Sequence, residues 1–111
     1  MTVRKSEPLD IADPFARQLV GRYLEKRSDD VRRLEDALGR DDFEAIRTTG
    51  HNLYGSGSAY GLDEVSRIGK QLEALAERRD GPAIGRLIAE LADFLDRIEL
   101  ALGPSARGHT P

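Results

Sequence analysis

Residues 43–61 read FEAIRTTGHNLYGSGSAYG, and whether this stretch is a linker or a helix decides the fold. Gly50, Gly55, Gly57 and Gly61 crowd into it, and GSGS at 55–58 taken alone has the composition of a flexible connection. The apolar and small residues nevertheless keep phase. Phe43, Ile46, Gly50, Leu53, Gly57 and Tyr60 are separated by three, four, three, four and three positions, the spacing of one buried stripe on an α-helix. A linker has no reason to hold that register, so a helix is expected, beginning at Asp41 or Asp42 as its cap. Each interior glycine costs a helix roughly 0.5 to 1 kcal/mol relative to alanine. Gly50 and Gly57 lie on the stripe, where close contact with a neighbouring helix offsets that cost. Gly55 lies almost opposite the stripe, so packing does not explain it. Gly61 is expected to end the helix.

Working outward, DPFARQLVGRYLEKRSDDVRRLEDALGR opens with Asp13 as a candidate N-cap and Pro14 at the first helical position, and it ends near Gly39. Val20, Leu24, Val31, Leu34 and Leu38 follow a near-heptad stripe with Arg27 as its polar gap. One long helix is expected, although Ser28-Asp29-Asp30 could restart a second. A third helix is expected from about Leu62 to Arg79, burying Leu62, Val65, Ile68, Gly69, Leu72, Leu75 and Ala76. Gly81 and Pro82 then stop it and admit a fourth helix, from about Pro82 to Leu102, with Ile84, Leu87, Ile88, Leu91, Leu95, Ile98 and Leu102 on one face. Short connections make successive helices antiparallel. The expectation is therefore all-α: an up-and-down antiparallel four-helix bundle over 13–102, after a loose leader at 1–12 with room for a short extra helix. GPSARGHTP at 103–111 reads as a disordered tail, which leaves His109 inert.

The composition removes several function classes. With no cysteine among 111 residues, disulfides, thiol chemistry and cysteine-based zinc sites are excluded. No apolar run approaches the roughly 20 residues that span a bilayer, and the N-terminus lacks an apolar signal region, so a cytoplasmic protein without a membrane partner is expected. A net charge of -3 with acids and bases interspersed gives no footprint for nucleic acid; Arg32/Arg33 and Arg78/Arg79 stand among Asp and Glu. No HExxH, phosphate-binding glycine-lysine loop or kinase nucleotide motif is present, and no metal site is expected.

His51 then stands out. At about 100° per residue it falls roughly 130° from the centre of the stripe, and so faces water. Thr48 and Gly55, one turn before and after, share that outer face, with Glu44, Arg47, Asn52 and Ser58 nearby. Lys70 points outward from the third helix; Gln71 and Glu73 flank its core face, and one of them could approach His51. Tyr54 lies about 70° from the core direction, which suits half-burial.

His51, Leu53, Gly55, Ser56, Gly61, Leu62 and Val65, followed by Leu72-Glu73, resemble the histidine-containing phosphotransfer (HPt) family, whose pattern opens approximately H-x-L-K-G-S and continues with a glycine, an apolar position and a later L-E. The resemblance spans 42–81 and implies a four-helix bundle in a two-component phosphorelay. It implies that His51 accepts a phosphoryl group from a receiver-domain aspartate of a response regulator, or donates one to it, with a hybrid histidine kinase as a further candidate partner. The chemistry suits the residue. An imidazole in water has a pKa of about 6.5, so at neutral pH one ring nitrogen of an exposed histidine carries a free lone pair for in-line attack on phosphorus. Phosphoryl transfer is largely positioning and charge neutralisation, and receivers bring their own acidic pocket and Mg²⁺. The expected protein is thus a monomeric phosphocarrier that binds no cofactor and has no turnover of its own.

The sequence departs from the pattern at Tyr54, where the family commonly has lysine. Tyrosine donates a hydrogen bond but brings no charge. Arg47, one turn before His51, is the candidate substitute. Arg47, Tyr54, Gly55 and Ser58 are accordingly the expected neighbours of the phosphoryl group, and Glu44, Thr48, Asn52 and Lys70 the candidate partner-contact face. A binding module that keeps the bundle but carries no phosphate is the alternative Tyr54 leaves open.

Overall fold

A computed structural model describes residues 13–102, which form four helices: α1 (Pro14–Gly39), α2 (Phe43–Ala59), α3 (Asp63–Arg78) and α4 (Gly81–Leu102). The expected leader and tail, with His109, lie outside the described residues. α1 is a single continuous helix of 26 residues, as expected from its stripe. Asp13 caps it by accepting from the Phe15 amide at 3.1 Å, and Pro14 fills the first turn, where a missing N–H costs nothing.

The three connections are the same device used three times. After α1, the amide of Asp41 bonds Leu38 O and that of Asp42 bonds Ala37 O; after α2, Gly61 bonds Ser58 O and Leu62 bonds Gly57 O; after α3, Arg79 bonds Ala76 O and Asp80 bonds Leu75 O. This paired closure satisfies the last carbonyls of each helix and needs one residue in the left-handed region. Those residues are Asp41 (φ 56°), Gly61 (φ 72°) and Arg79 (φ 58°). Only Gly61 takes the conformation without a Cβ penalty. Asp42 and Asp80 then serve the next helix at once, accepting from Ala45 N at 3.1 Å and Ala83 N at 3.2 Å.

Turns this short force up-and-down topology. α1 packs on α2 and α4, and α3 packs on α2 and α4, while the diagonal pairs do not meet. Leu24, Leu34, Ile46, Leu53, Leu62, Val65, Ile68, Leu72, Ile84 and Leu91 are almost wholly excluded from water and form one core. Leu38, Phe43, Leu75 and Leu87, expected inside, are half-buried at its margin. Tyr60 corrects the expected stripe: it lies beyond the end of α2 and is 40% exposed, with its ring stacked on Tyr23 at a centroid separation of 4.2 Å. Nor is Arg27 simply a polar gap. Its guanidinium pairs with Asp30 at 2.8 Å and lies 4.6 Å from the centre of the Tyr23 ring.

The tightest contact is between α2 and α3, and glycine makes it. A Cβ on Gly50 would stand 2.7 Å from Gly69 O, and one on Gly69 would stand 2.6 Å from both Gly50 O and Tyr54 N. At the other end, a Cβ on Gly57 would meet Ser66 N at 2.6 Å. The buried Ser66 hydroxyl donates to Tyr54 O at 2.6 Å and lies 2.9 Å from the Ser58 hydroxyl, which fixes the axial register of the pair.

Candidate functional site

His51 sits midway along α2 on the face turned from the core, with 65% of its side chain exposed. The stripe explains the direction, since Gly50 and Leu53 are buried on either side of it. A Cβ on Gly55 would meet nothing within 4 Å, so the space one turn beyond the ring is open. Thr48 and Asn52 are also exposed, which leaves the imidazole approachable from both sides.

The glycine contact brings α3 close enough to supply the ring with a partner. Glu73 Oε2 lies 3.4 Å from His51 Nδ1, and the Glu73 side chain is only 26% exposed. Of the two acidic or amide residues expected near the histidine, Glu73 is the one that approaches. Gln71 turns away, its Oε1 accepting from Arg67 at 2.8 Å. A carboxylate facing Nδ1 favours the tautomer with the proton there and leaves the Nε2 lone pair directed outward.

Arg47 lies on the same side. Its guanidinium donates to Glu44 Oε2 at 2.6 Å, and the contact holds the Glu44 carboxyl below its usual range, through the hydrogen bond first and the Arg47 charge second. Glu73 and Glu77 add to the negative field around Arg47. Arg47 is thus already paired with one carboxylate and lies in the field of two more. Ser58, expected beside the ring, is two turns further along α2 and bonded to Ser66.

One turn beyond His51 on α2, Tyr54 is 42% exposed, and Lys70 Nζ lies 4.8 Å from the centre of its ring. The spacing of three between Lys70 and Glu73 puts both on the edge of α3 that faces the histidine. The Tyr54–Lys70 contact and the Ser66 lock were not anticipated. The signal available for Ser66 was its position one turn from Gly69 on the core face of α3, where a small residue opposite Gly57 permits close approach.

Among the described residues no group of three or more His, Asp or Glu side chains is arranged to hold a metal, and no helix is long and apolar enough to cross a membrane. The site therefore consists of a projecting imidazole with one carboxylate behind it, Arg47 one turn before it on α2 and Lys70 on the facing edge of α3. Compared with known proteins, the chain matches the family model of the Hpt domain over residues 18–101. No curated protein and no solved structure matches it. The match takes in all of α2 and α3 and most of α1 and α4, so the exposed histidine, the glycine-packed helix pair and the bundle that carries them fall within one family unit: the chain belongs to the Hpt domain family, the phosphotransfer modules of two-component signalling.

Proposed function

We propose that this chain carries phosphate on His51, taking it from the aspartyl phosphate of a response-regulator receiver domain and returning it to another. The observation that carries the reading is the exposed imidazole whose Nδ1 faces Glu73 at 3.4 Å while the path to Nε2 is open. In the transfer, the Nε2 lone pair attacks phosphorus, a P–N bond forms, the P–O bond of the acyl phosphate breaks, and its electron pair leaves on the aspartate carboxylate. The ring keeps its Nδ1 proton and becomes positive as the bond forms. Glu73 balances that charge and holds the ring's orientation, the role a carboxylate plays behind any histidine that changes charge in a reaction. Gly55 leaves room for the rim of the receiver's pocket, and Thr48, Asn52 and Glu44 belong to the face it covers. Mg²⁺ comes with the receiver, whose acidic pocket holds it.

Mixing the chain with a phosphorylated receiver and Mg²⁺ tests this. The expected result is acid-labile, base-stable phosphate on the wild type and none on His51→Gln. The uncharged Tyr54 is the specific observation favouring a second reading, a module that binds a kinase or receiver without carrying phosphate. Saturable receiver binding with no phosphate moving in either direction establishes that second reading in place of the first.

A further inference from the structure

A phosphoryl group on His51 brings two negative charges to a surface that already holds Glu44, Glu73 and Glu77 on one side. Arg47 cannot serve it freely, being bound to Glu44 at 2.6 Å and drawn by Glu73 and Glu77. Lys70 differs in having no carboxylate partner among the described residues; its ammonium rests on the face of Tyr54, 4.8 Å from the ring centre. That hold is weak at an exposed site and is released when a full negative charge is offered nearby. Tyr54 follows His51 by three positions, so its ring borders the histidine on the helix surface. Lys70 precedes Glu73 by three on α3, and Gly69 beside it packs against the backbone of Tyr54.

We propose that Lys70, from the neighbouring helix, is the cation that neutralises the phosphoryl group on His51, and that Tyr54 positions it. The inference rests on the phosphotransfer reading. Three features agree with it: a flexible four-carbon stem ending in a compact charge, a π face one turn from the histidine on which that charge rests, and no carboxylate partner for it among the described residues. The tyrosine is then more than a residue standing where charge is missing, because its ring guides a charge supplied by α3. Lys70 touches the transferred group and is catalytic in that sense; Tyr54 acts through it.

The test is single-turnover transfer from a phosphorylated receiver with Mg²⁺ over a range of receiver concentrations, with melting temperature measured on every variant. Lys70→Ala is expected to lower the maximal rate about tenfold, as for loss of one charged hydrogen-bond donor, at an unchanged melting temperature. Lys70→Arg keeps most of the rate, and Tyr54→Phe keeps it because the ring remains. Placing the charge on α2 instead, in Tyr54→Lys/Lys70→Ala, restores the rate to within about twofold of wild type. A wild type that carries phosphate beside a Lys70→Ala variant of equal maximal rate overturns the proposal and leaves the phosphotransfer reading intact. So does a loss confined to the half-saturating receiver concentration, which makes Lys70 a docking contact. A wild type that takes no phosphate overturns both.

Discussion

Gly50→Ala and Gly55→Ala place the same methyl group on the same helix, five residues apart, and the structure assigns them opposite signs. Alanine in a helix interior is favoured over glycine by roughly 0.5 to 1 kcal/mol. At Gly55 a Cβ meets nothing within 4 Å, so that gain is realised in full. At Gly50 it stands 2.7 Å from Gly69 O, 2.9 Å from Glu73 N and 3.0 Å from Leu72 Cβ. Two of these are backbone atoms of α3, which cannot swing aside. Opening the shortest contact from 2.7 Å to the 3.4 Å of ordinary contact moves α3 out by about 0.7 Å, the difference of the two. That movement loosens Ile46 and Leu53 against Ile68 and Leu72, all fully buried. Overpacking of this kind costs about 1 to 3 kcal/mol, which exceeds the propensity gain. Gly50→Ala should therefore destabilise by roughly 1 to 2 kcal/mol while Gly55→Ala stabilises by about 0.5 to 1 kcal/mol. At roughly 4 to 8 °C per kcal/mol for a domain of this size, the two melting temperatures should differ by about 10 °C or more. Urea unfolding, with unchanged slopes, measures the pair directly. A Gly50→Ala protein as stable as wild type would refute the claim that α2 and α3 meet backbone to backbone.

Gly55→Arg should fold with a melting temperature at or above that of wild type and yet lose receiver-dependent phosphorylation of His51 by at least about tenfold, because the only space it fills is the approach to the ring. Gly61 has open space around its Cβ position but a φ of 72°, so Gly61→Ala should cost about 1 to 2 kcal/mol in urea unfolding from backbone conformation alone. Glu64 is held below its usual range, chiefly by the hydrogen bonds of Arg67, which also reaches Glu90 on α4. Its folded pKa lies below the unfolded value of 4.5, so the stability it contributes is complete above about pH 4.5 and is lost as pH falls through the folded value. Melting temperatures followed from about pH 6 to about pH 3 should fall less steeply for Arg67→Gln than for wild type, and the difference should shrink in high salt.

What could be read in the sequence was what periodicity encodes. The stripe from Phe43 to Gly57 fixed the orientation of α2, and with it the exposure of His51, the packing of Gly50 and Gly57 and the openness at Gly55. Tyr60 broke the reading because a helical stripe has meaning only while the helix lasts, and Gly61 ends it. The left-handed Asp41 and Arg79 could not be foreseen from residue type, since neither is glycine; the closure of the preceding helix dictates their conformation. Contacts between helices were the other gap. Two residues on α3 could have faced His51, and only the axial register set by Ser66 and the glycines selects Glu73. The Lys70–Tyr54 contact depends on the same register and on side-chain torsions that no spacing specifies.

The glycines of α2 and α3 connect stability to chemistry. Helices packed through ordinary side chains lie about 8 to 10 Å apart, and at the upper end a glutamate on one hardly reaches past its own helix to a ring on the outer face of the other. Removing both Cβ atoms where Gly50 crosses Gly69 brings the backbones together, which is why Glu73, bonded through its own main chain to the turn that touches Gly50, arrives at Nδ1. The same approach sets Lys70 over Tyr54. Two glycines that weaken their helices are thus the condition for α3 to serve a histidine carried by α2. It follows that moving α3 outward by even half an ångström should separate phosphotransfer from fold: Gly69→Ala is expected to retain helical content while slowing transfer more than its loss of stability alone accounts for, and equal losses in a variant destabilised elsewhere to the same extent, such as Gly61→Ala, would show that the close approach serves packing only.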